Sequence, residues 1–157
     1  MSDHRHQKRI KIMQDLFACT FSEENRAKCL EEKDPESTVY RLLHVVDEID
    51  ARLQKVAPER PLSEINQVDL AIMRTIVFES DHKETPIKVL INEAVEMAKE
   101  FGSESSSRFV NGVLATLLIP EGGLPPEEEH VKETVEESEE PEDANSEYDD
   151  SEEDYVD

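Results

Sequence analysis

The chain has 157 residues, with 39 acidic against 17 basic side chains and a net charge of −22, and its length favours one domain over two. No apolar run approaches the roughly 18 residues that a membrane span needs, and the start lacks a secretory signal, so we expect a cytoplasmic protein. Two cysteines and four glycines provide neither a disulfide framework nor the usual zinc-binding or nucleotide-binding motifs.

The acidic charge is concentrated at the C-terminal end. Residues 121–157 contain 18 acids and one lysine, net −17, whereas residues 1–120 contain 21 acids and 16 bases, net −5. Only 7 of these last 37 residues are hydrophobic, too few to offset the entropy of ordering the segment. The sequence therefore predicts one domain over residues 1–120 and a disordered acidic tail over 121–157.

The first predicted helix covers about residues 7–21. Its apolar residues, among them Ile10, Met13 and Phe17, span an arc of about 200 degrees at roughly 100 degrees per residue. This wide stripe indicates either deep burial or a stripe shared with a partner. Cys19 lies on it and is interpreted as a small core residue.

Two further helices are predicted in the middle of the chain. The segment 39–56 has helical apolar spacing and ends before Pro58 and Pro61. A central helix follows Asn66, a suitable N-cap, with Asp69 favourably placed in its first turn. Because residues 70–78 are apolar on nearly all sides, a buried strand over 72–78 is the competing interpretation.

Two amphipathic helices complete the predicted domain. For the first, over residues 87–101, we expect Thr85 as N-cap, Pro86 at the first helical position and Gly102 in a left-handed conformation after the end. The second, from Phe109 to Leu118, is capped by a serine of the 105–107 run. Gly112 inside it costs about 1 kcal/mol against alanine, which we attribute to close helix approach. No segment shows strand alternation, so the predicted class is all-α.

Residues 1–11 form the single basic cluster in the sequence, with net charge +3. Arg5, Lys8 and Arg9 are spaced so that a helix reaching back to residue 5 would present them together, and Lys11 follows. Such a cluster could bind a nucleic-acid backbone, with His4 and His6 adding charge near pH 6. The alternative is a frayed, solubilising N-terminus.

Three runs carry a resemblance to a known family: QVDLAIMRTIVFE at 67–79, INEAVEMAKEFG at 91–102 and RFVNGVL at 108–114. Together they closely resemble the NusB family of bacterial transcription antitermination factors, firmly over residues 61–118 and more weakly over 4–21. The sequence departs from the family at 22–38, which is short and polar where a further helix is usual. The basic start is also thinner than usual, so we expect modest RNA affinity.

The resemblance implies an all-helical, non-enzymatic factor with two small subdomains and no cofactor. It implies binding of the boxA element of ribosomal RNA leader transcripts, together with the small-subunit ribosomal protein that acts as NusE. The pair would join an RNA polymerase antitermination assembly that supports transcription and maturation of ribosomal RNA. A rival interpretation is a protein-only interaction module whose acidic tail recruits basic partners.

The candidate site residues fall into two groups, with no catalytic or metal-binding set predicted. The RNA-binding candidates are Arg5, Lys8, Arg9, Lys11, Ser105, Arg108 and Phe109. The candidates for binding the ribosomal protein, which the resemblance implies, are Phe17, Glu64 and Asp69. Two of these have simpler interpretations: Phe109 lies on an apolar stripe and suits the core, and Asp69 suits stabilisation of the helix dipole.

Overall fold

A computed structural model describes residues 3–120, and the predicted tail at 121–157 lies outside the described residues. The described part contains six α-helices and one short 3-10 helix, with no strand among residues 3–120. The helices are α1 (His4–Thr20), α2 (Glu23–Glu32), α3 (Thr38–Val56), α4 (Gln67–His82), α5 (Ile87–Phe101) and α6 (Ser106–Leu118), with the 3-10 helix at Leu62–Glu64. The all-α prediction is confirmed, and the alternative strand at 72–78 is excluded.

Helix α4 is the central element of the fold. Residues 69–78 are all buried, and α1, α3, α5 and α6 each pack against this helix. The predicted cap is confirmed, because Asn66 Oδ1 accepts hydrogen bonds from the amides of Val68 at 2.9 Å and Asp69 at 3.4 Å. Burial of α4 on several sides explains why its sequence shows no polar face.

Helix α2 corrects the description of residues 22–38 as a polar stretch without the family's additional helix. Ser22 begins it by accepting a hydrogen bond from the Asn25 amide at 3.0 Å, and Glu23 and Glu24 lie in the first turn, where the helix dipole favours acids. None of its residues is buried. A search for apolar periodicity therefore misses this helix, and the capping serine followed by acids is its only local signal.

A disulfide between Cys19 and Cys29 joins α1 to α2, with their Cα atoms 5.8 Å apart. Cys19 is buried, as expected of a core residue, with 1% of its surface exposed, but the sequence does not predict its bond to Cys29. An ion pair of 3.1 Å between Arg26 and Asp47 fastens the same helix to α3. These two links hold a helix that contributes no fully buried side chain.

The turn between α5 and α6 depends on Gly102, but not for the predicted reason. Gly102 is extended, with φ of −90° and ψ of −171°, so the expected left-handed conformation is wrong. A Cβ at this position would lie 2.5 Å from the Cβ of Ser106 and 2.7 Å from the carbonyl oxygen of Ala98. Glycine is needed here because the start of α6 packs directly on the end of α5.

Four other local predictions for α5 and α6 are wrong. Helix α5 begins at Ile87, and Pro86 is its N-cap residue, with no side-chain hydrogen bond to the helix. Thr85 is therefore not the N-cap, and Pro86 is not the first helical residue. Ser105 precedes α6 without capping it through its side chain. Gly112 does not allow close helix packing, because it is exposed and an added Cβ would have no neighbour within 4 Å.

Candidate functional site

The N-terminal basic segment is helical from residue 4, as grouping of its cations requires. Asp3 caps α1 by accepting a hydrogen bond from the Arg5 amide at 3.2 Å. Arg5, Lys8 and Lys11 are exposed and follow one another at intervals of three residues, so they lie along one side of the helix. None of the three forms an ion pair with another residue of the described range 3–120.

Arg9 differs from these three cations because it is buried, with 9% of its surface exposed. Its Nε lies 2.9 Å from a carboxylate oxygen of Glu79, and its guanidinium reaches Glu93 at 3.4 Å. Burial alone would lower the pKa of Arg9, but the hydrogen bonds and charges of Glu79 and Glu93 outweigh it and raise the pKa above the ordinary value. Arg9 therefore joins α1 to α4 and α5.

His6 makes a second connection between α1 and α5. Its Nδ1 lies 2.6 Å from a carboxylate oxygen of Glu93, and its Nε2 lies 3.8 Å from Glu100. Glu100 is one residue before the end of α5, so this contact brings the start of α1 towards the turn that leads into α6. Helix α1 and helix α6 are thus connected through α5, which contacts His6 near its C-terminal end and packs against α6.

The candidates at the start of α6 have different environments. Ser105 and Arg108 are exposed, whereas Ser106 is buried and its Oγ accepts a hydrogen bond from the Ser103 amide at 2.8 Å. The first amides of a helix favour phosphate groups. The exposed hydroxyl of Ser105 and the Arg108 guanidinium are therefore available beside a helix end suited to anions.

Phe109 is half-buried, which agrees in part with both interpretations of its role. One side packs on the core, and the ring also forms part of a groove with Arg60, whose guanidinium carbon lies 5.2 Å from the ring centroid. Sequence reasoning missed Arg60, because a single arginine between Pro58 and Pro61 carries no pattern that assigns it to this site.

The three partner-binding candidates lie on three different elements and differ in burial. Phe17 is half-buried on α1, Glu64 is exposed in the 3-10 helix, and Asp69 is 4% exposed at the start of α4. Phe17 has an aromatic neighbour at the end of the same apolar stripe: the rings of Phe17 and Phe21 are 6.2 Å apart, and Phe21 is 71% exposed. The stripe of α1 thus leaves the core at its C-terminal end, which favours the interpretation of a shared stripe there.

The position of Asp69 makes a direct charged contact with a partner difficult. Its Oδ1 is buried and has no hydrogen-bond partner among the described residues. Burial raises the pKa of Asp69 above its ordinary value, and the Ser106 hydroxyl and the charge of Arg60 oppose this effect only in part. Asp69 therefore belongs to the buried junction between α4 and α6, while Glu64 remains accessible.

The described region shows neither a metal-binding cluster nor a membrane-spanning helix. Within residues 3–120, no group of three or more histidine, cysteine or carboxylate side chains is arranged to hold a metal ion. No helix in this same region is long and apolar enough to cross a membrane.

Comparison with known proteins identifies similar sequences and a similar structure. The sequence model of the NusB family matches residues 6–118. The transcription antitermination protein NusB of Chloroflexus aggregans is 38% identical over 133 residues, covering 75% of this chain and 89% of that protein. NusB of a Roseiflexus species is 48% identical over 73 residues, or 51% of its length. The structure of Thermotoga maritima NusB aligns with a TM-score of 0.60 at 26% identity, covering 74% of this chain and 92% of that one.

Proposed function

The chain belongs to the NusB family of transcription antitermination proteins, and we propose that it binds boxA RNA of ribosomal RNA leader transcripts together with the ribosomal protein NusE. In this role it has no catalytic step of its own. It brings an RNA element and a protein partner to an elongating RNA polymerase assembly, which then supports transcription and maturation of ribosomal RNA.

The exposed cations on α1 are the observation that carries the RNA-binding part of the proposal. A molecule with net charge −22 repels a polyanion unless positive charge is concentrated at one place. Arg5, Lys8 and Lys11 supply that concentration, because the charge of Arg9 is already matched by Glu79 and Glu93. We assign Ser105 and Arg108 to the same surface, because His6 of α1 contacts Glu100 near the end of α5, and α6 begins five residues after α5 ends.

The C-terminal end of α1 supports the protein-binding part. Phe17 and Phe21 form an aromatic pair of which Phe21 is largely exposed, and aromatic side chains are common anchors in protein interfaces. Glu23 and Glu24 are exposed immediately after this pair. Carboxylates beside an apolar anchor suit a basic ribosomal protein, because they raise both its association rate and its specificity.

A salt titration with two RNAs tests the RNA-binding proposal. The full-length chain should bind boxA-like RNA more tightly than a scrambled strand, and its affinity should fall as salt rises. The variant Lys8→Gln/Lys11→Gln should bind more weakly and reduce the salt slope by about 0.7 for each phosphate that is no longer neutralised. The matched control Lys28→Gln/Lys55→Gln removes two exposed lysines outside the proposed surface and should keep wild-type affinity.

The rival interpretation, a protein-only module that recruits basic partners through the acidic tail, predicts a different result. In that case both RNAs should bind equally weakly, even with the ribosomal protein present. Removal of residues 121–157 should then abolish partner binding, whereas the antitermination proposal assigns that contact to residues within 3–120.

A further inference from the structure

A groove between the loop after α3 and helix α6 is not used by the contacts proposed above, although Phe109, one of its lining residues, is an RNA-binding candidate. It has a volume of about 510 Å³ and is lined by Val56, Ala57, Pro58, Glu59, Arg60 and Phe109. Ligand pockets typically measure roughly 300–1,000 Å³, so the groove can accept a planar group the size of a nucleobase. Its walls combine apolar side chains with one cation, the carboxylate of Glu59 and one aromatic ring.

Arg60 is the distinctive residue of this groove. Four other arginines of the described region, at positions 9, 26, 52 and 74, each form an ion pair with a carboxylate. Arg60 forms no such ion pair within residues 3–120, and neither do Arg5, Arg41 and Arg108. Its guanidinium instead lies 5.2 Å from the centroid of the Phe109 ring, a distance typical of a cation–π interaction.

The buried carboxyl of Asp69 lies near both members of this pair. Asp69 is buried close enough for the charge of Arg60 to act on it, so the carboxyl attracts the guanidinium towards the body of the protein. Asp69 is also beside Ser106, the first residue of the helix that carries Phe109. Asp69 therefore lies near both the helix that carries the ring and the cation, while the Arg60 side chain remains exposed.

We propose that Arg60, supported by Phe109, forms a stacking subsite for one unpaired base of the bound RNA. The base stacks on the outer face of the guanidinium. Arg108, which is exposed in the first turn of α6 and directly precedes Phe109, contacts the adjoining phosphate. Arginine planes and aromatic rings are both established stacking surfaces for single-stranded RNA. This inference rests on the proposed RNA-binding function and adds a position for one base.

Stacking makes the subsite tolerant of base identity, because every base has a π-face. Loss of the subsite should therefore weaken the binding of boxA-like RNA and of scrambled RNA by the same factor, leaving the ratio of the two affinities unchanged. This behaviour differs from hydrogen-bond recognition of base edges, whose loss would change the ratio.

The test compares RNA affinity of the full-length wild-type chain with Arg60→Ala and Arg60→Lys at constant salt. Both variants should bind about tenfold more weakly, within the range expected for one stacked base, because lysine keeps the charge but not the plane. Arg52→Ala, which also removes one arginine from the surface, is the matched control and should bind normally. RNA carrying 2-aminopurine at successive positions should show quenching at one position with wild type and no quenching there with Arg60→Lys.

Three results would overturn the inference. Wild-type affinity and quenching in Arg60→Lys would show that Arg60 acts only through its charge. Equal binding by Arg60→Ala, Arg52→Ala and wild type would exclude the groove from RNA binding. If the Arg60 variants bound RNA normally but bound the ribosomal protein more weakly, the groove would be a protein contact. Failure of the proposed function would give a different result from failure of the subsite alone. In the first case the wild-type chain would bind no RNA at all, and the subsite would also be excluded.

Discussion

The Nε atom of Arg9 lies 2.9 Å from one carboxylate oxygen of Glu79 and 3.2 Å from the other, although 70 positions separate the two residues. Their side chains are only 11% and 13% exposed. A basic residue that the sequence assigns to RNA binding therefore has a structural position, and the surface charge of α1 comes from its neighbours.

Replacement of Arg9 by Gln should destabilise the fold by about 3 kcal/mol, because breaking a buried ion pair leaves an unpaired charge. Arg5→Gln is the control, since Arg5 is exposed and its loss should change stability by less than about 0.5 kcal/mol. Urea unfolding measures both. If Arg9→Gln kept full stability and lost RNA affinity, Arg9 would instead contact the ligand.

The two helix-associated glycines should respond in opposite ways to alanine. Gly102→Ala should destabilise the protein, because its Cβ would meet Ser106 and the Ala98 carbonyl at 2.5–2.7 Å. Gly112→Ala should stabilise it by about 1 kcal/mol, since the site is helical and open. Thermal melting of the two variants provides the comparison, and a loss of stability in Gly112→Ala would contradict the open environment of that residue.

Asp69 should make the stability of the protein depend on pH in an unusual direction. Because its folded pKa is raised above the unfolded value, the native state binds the proton more tightly, and stability falls as pH rises from about 4 through the folded pKa. Asp69→Asn, which remains neutral, should lack this loss. The unfolding free energy of Asp69→Asn minus that of wild type should therefore increase as pH rises from about 4 through the folded pKa of Asp69.

A control for this pH effect is available in Glu64→Gln, which removes an exposed carboxylate near the same end of α4. The difference in unfolding free energy between Glu64→Gln and wild type should be small across the same pH interval. A constant difference between Asp69→Asn and wild type at every pH would show that burial of the charge has no energetic consequence.

The bond between Cys19 and Cys29 should stabilise the oxidised protein by about 2–3 kcal/mol, because it closes a short loop in the unfolded chain. Cys29→Ser, or reduction of the wild type, should remove this contribution and release α2 first. Hydrogen exchange localises the change to residues 23–32, and thiol alkylation reports the bond itself. Equal protection of α2 with and without reductant would contradict this role.

The sequence predicts most of the fold because apolar periodicity reports burial. Helices α3, α5 and α6 follow their stripes closely, α4 is buried on several sides as its apolar sequence predicts, and the Asn66 cap has the expected hydrogen bonds. Helix α2 is not found in this way, since none of its residues is fully buried and it depends on contacts with residues far away in the chain, such as Asp47. Spacing along one helix also cannot reveal that Glu79 and Glu93 converge on Arg9.

The candidate site is predictable to a smaller extent for the same physical reason. The basic character of residues 1–11 is visible as charge, and the resemblance identifies the start of α6. Arg60 has no local signal, because only folding brings it over Phe109. Exposure of Phe21 is equally hidden, since its spacing matches that of buried residues on the same helix.

The attachment of α1 through Arg9 and His6 has an entropic consequence for RNA binding. A basic arm that ordered only on encountering RNA would lose conformational freedom at that moment, which weakens binding. Here the arm is already a helix docked on two others, so Arg5, Lys8 and Lys11 present a preformed row to an incoming strand. Modest cationic charge can then suffice, because little of the attraction is spent on ordering the protein.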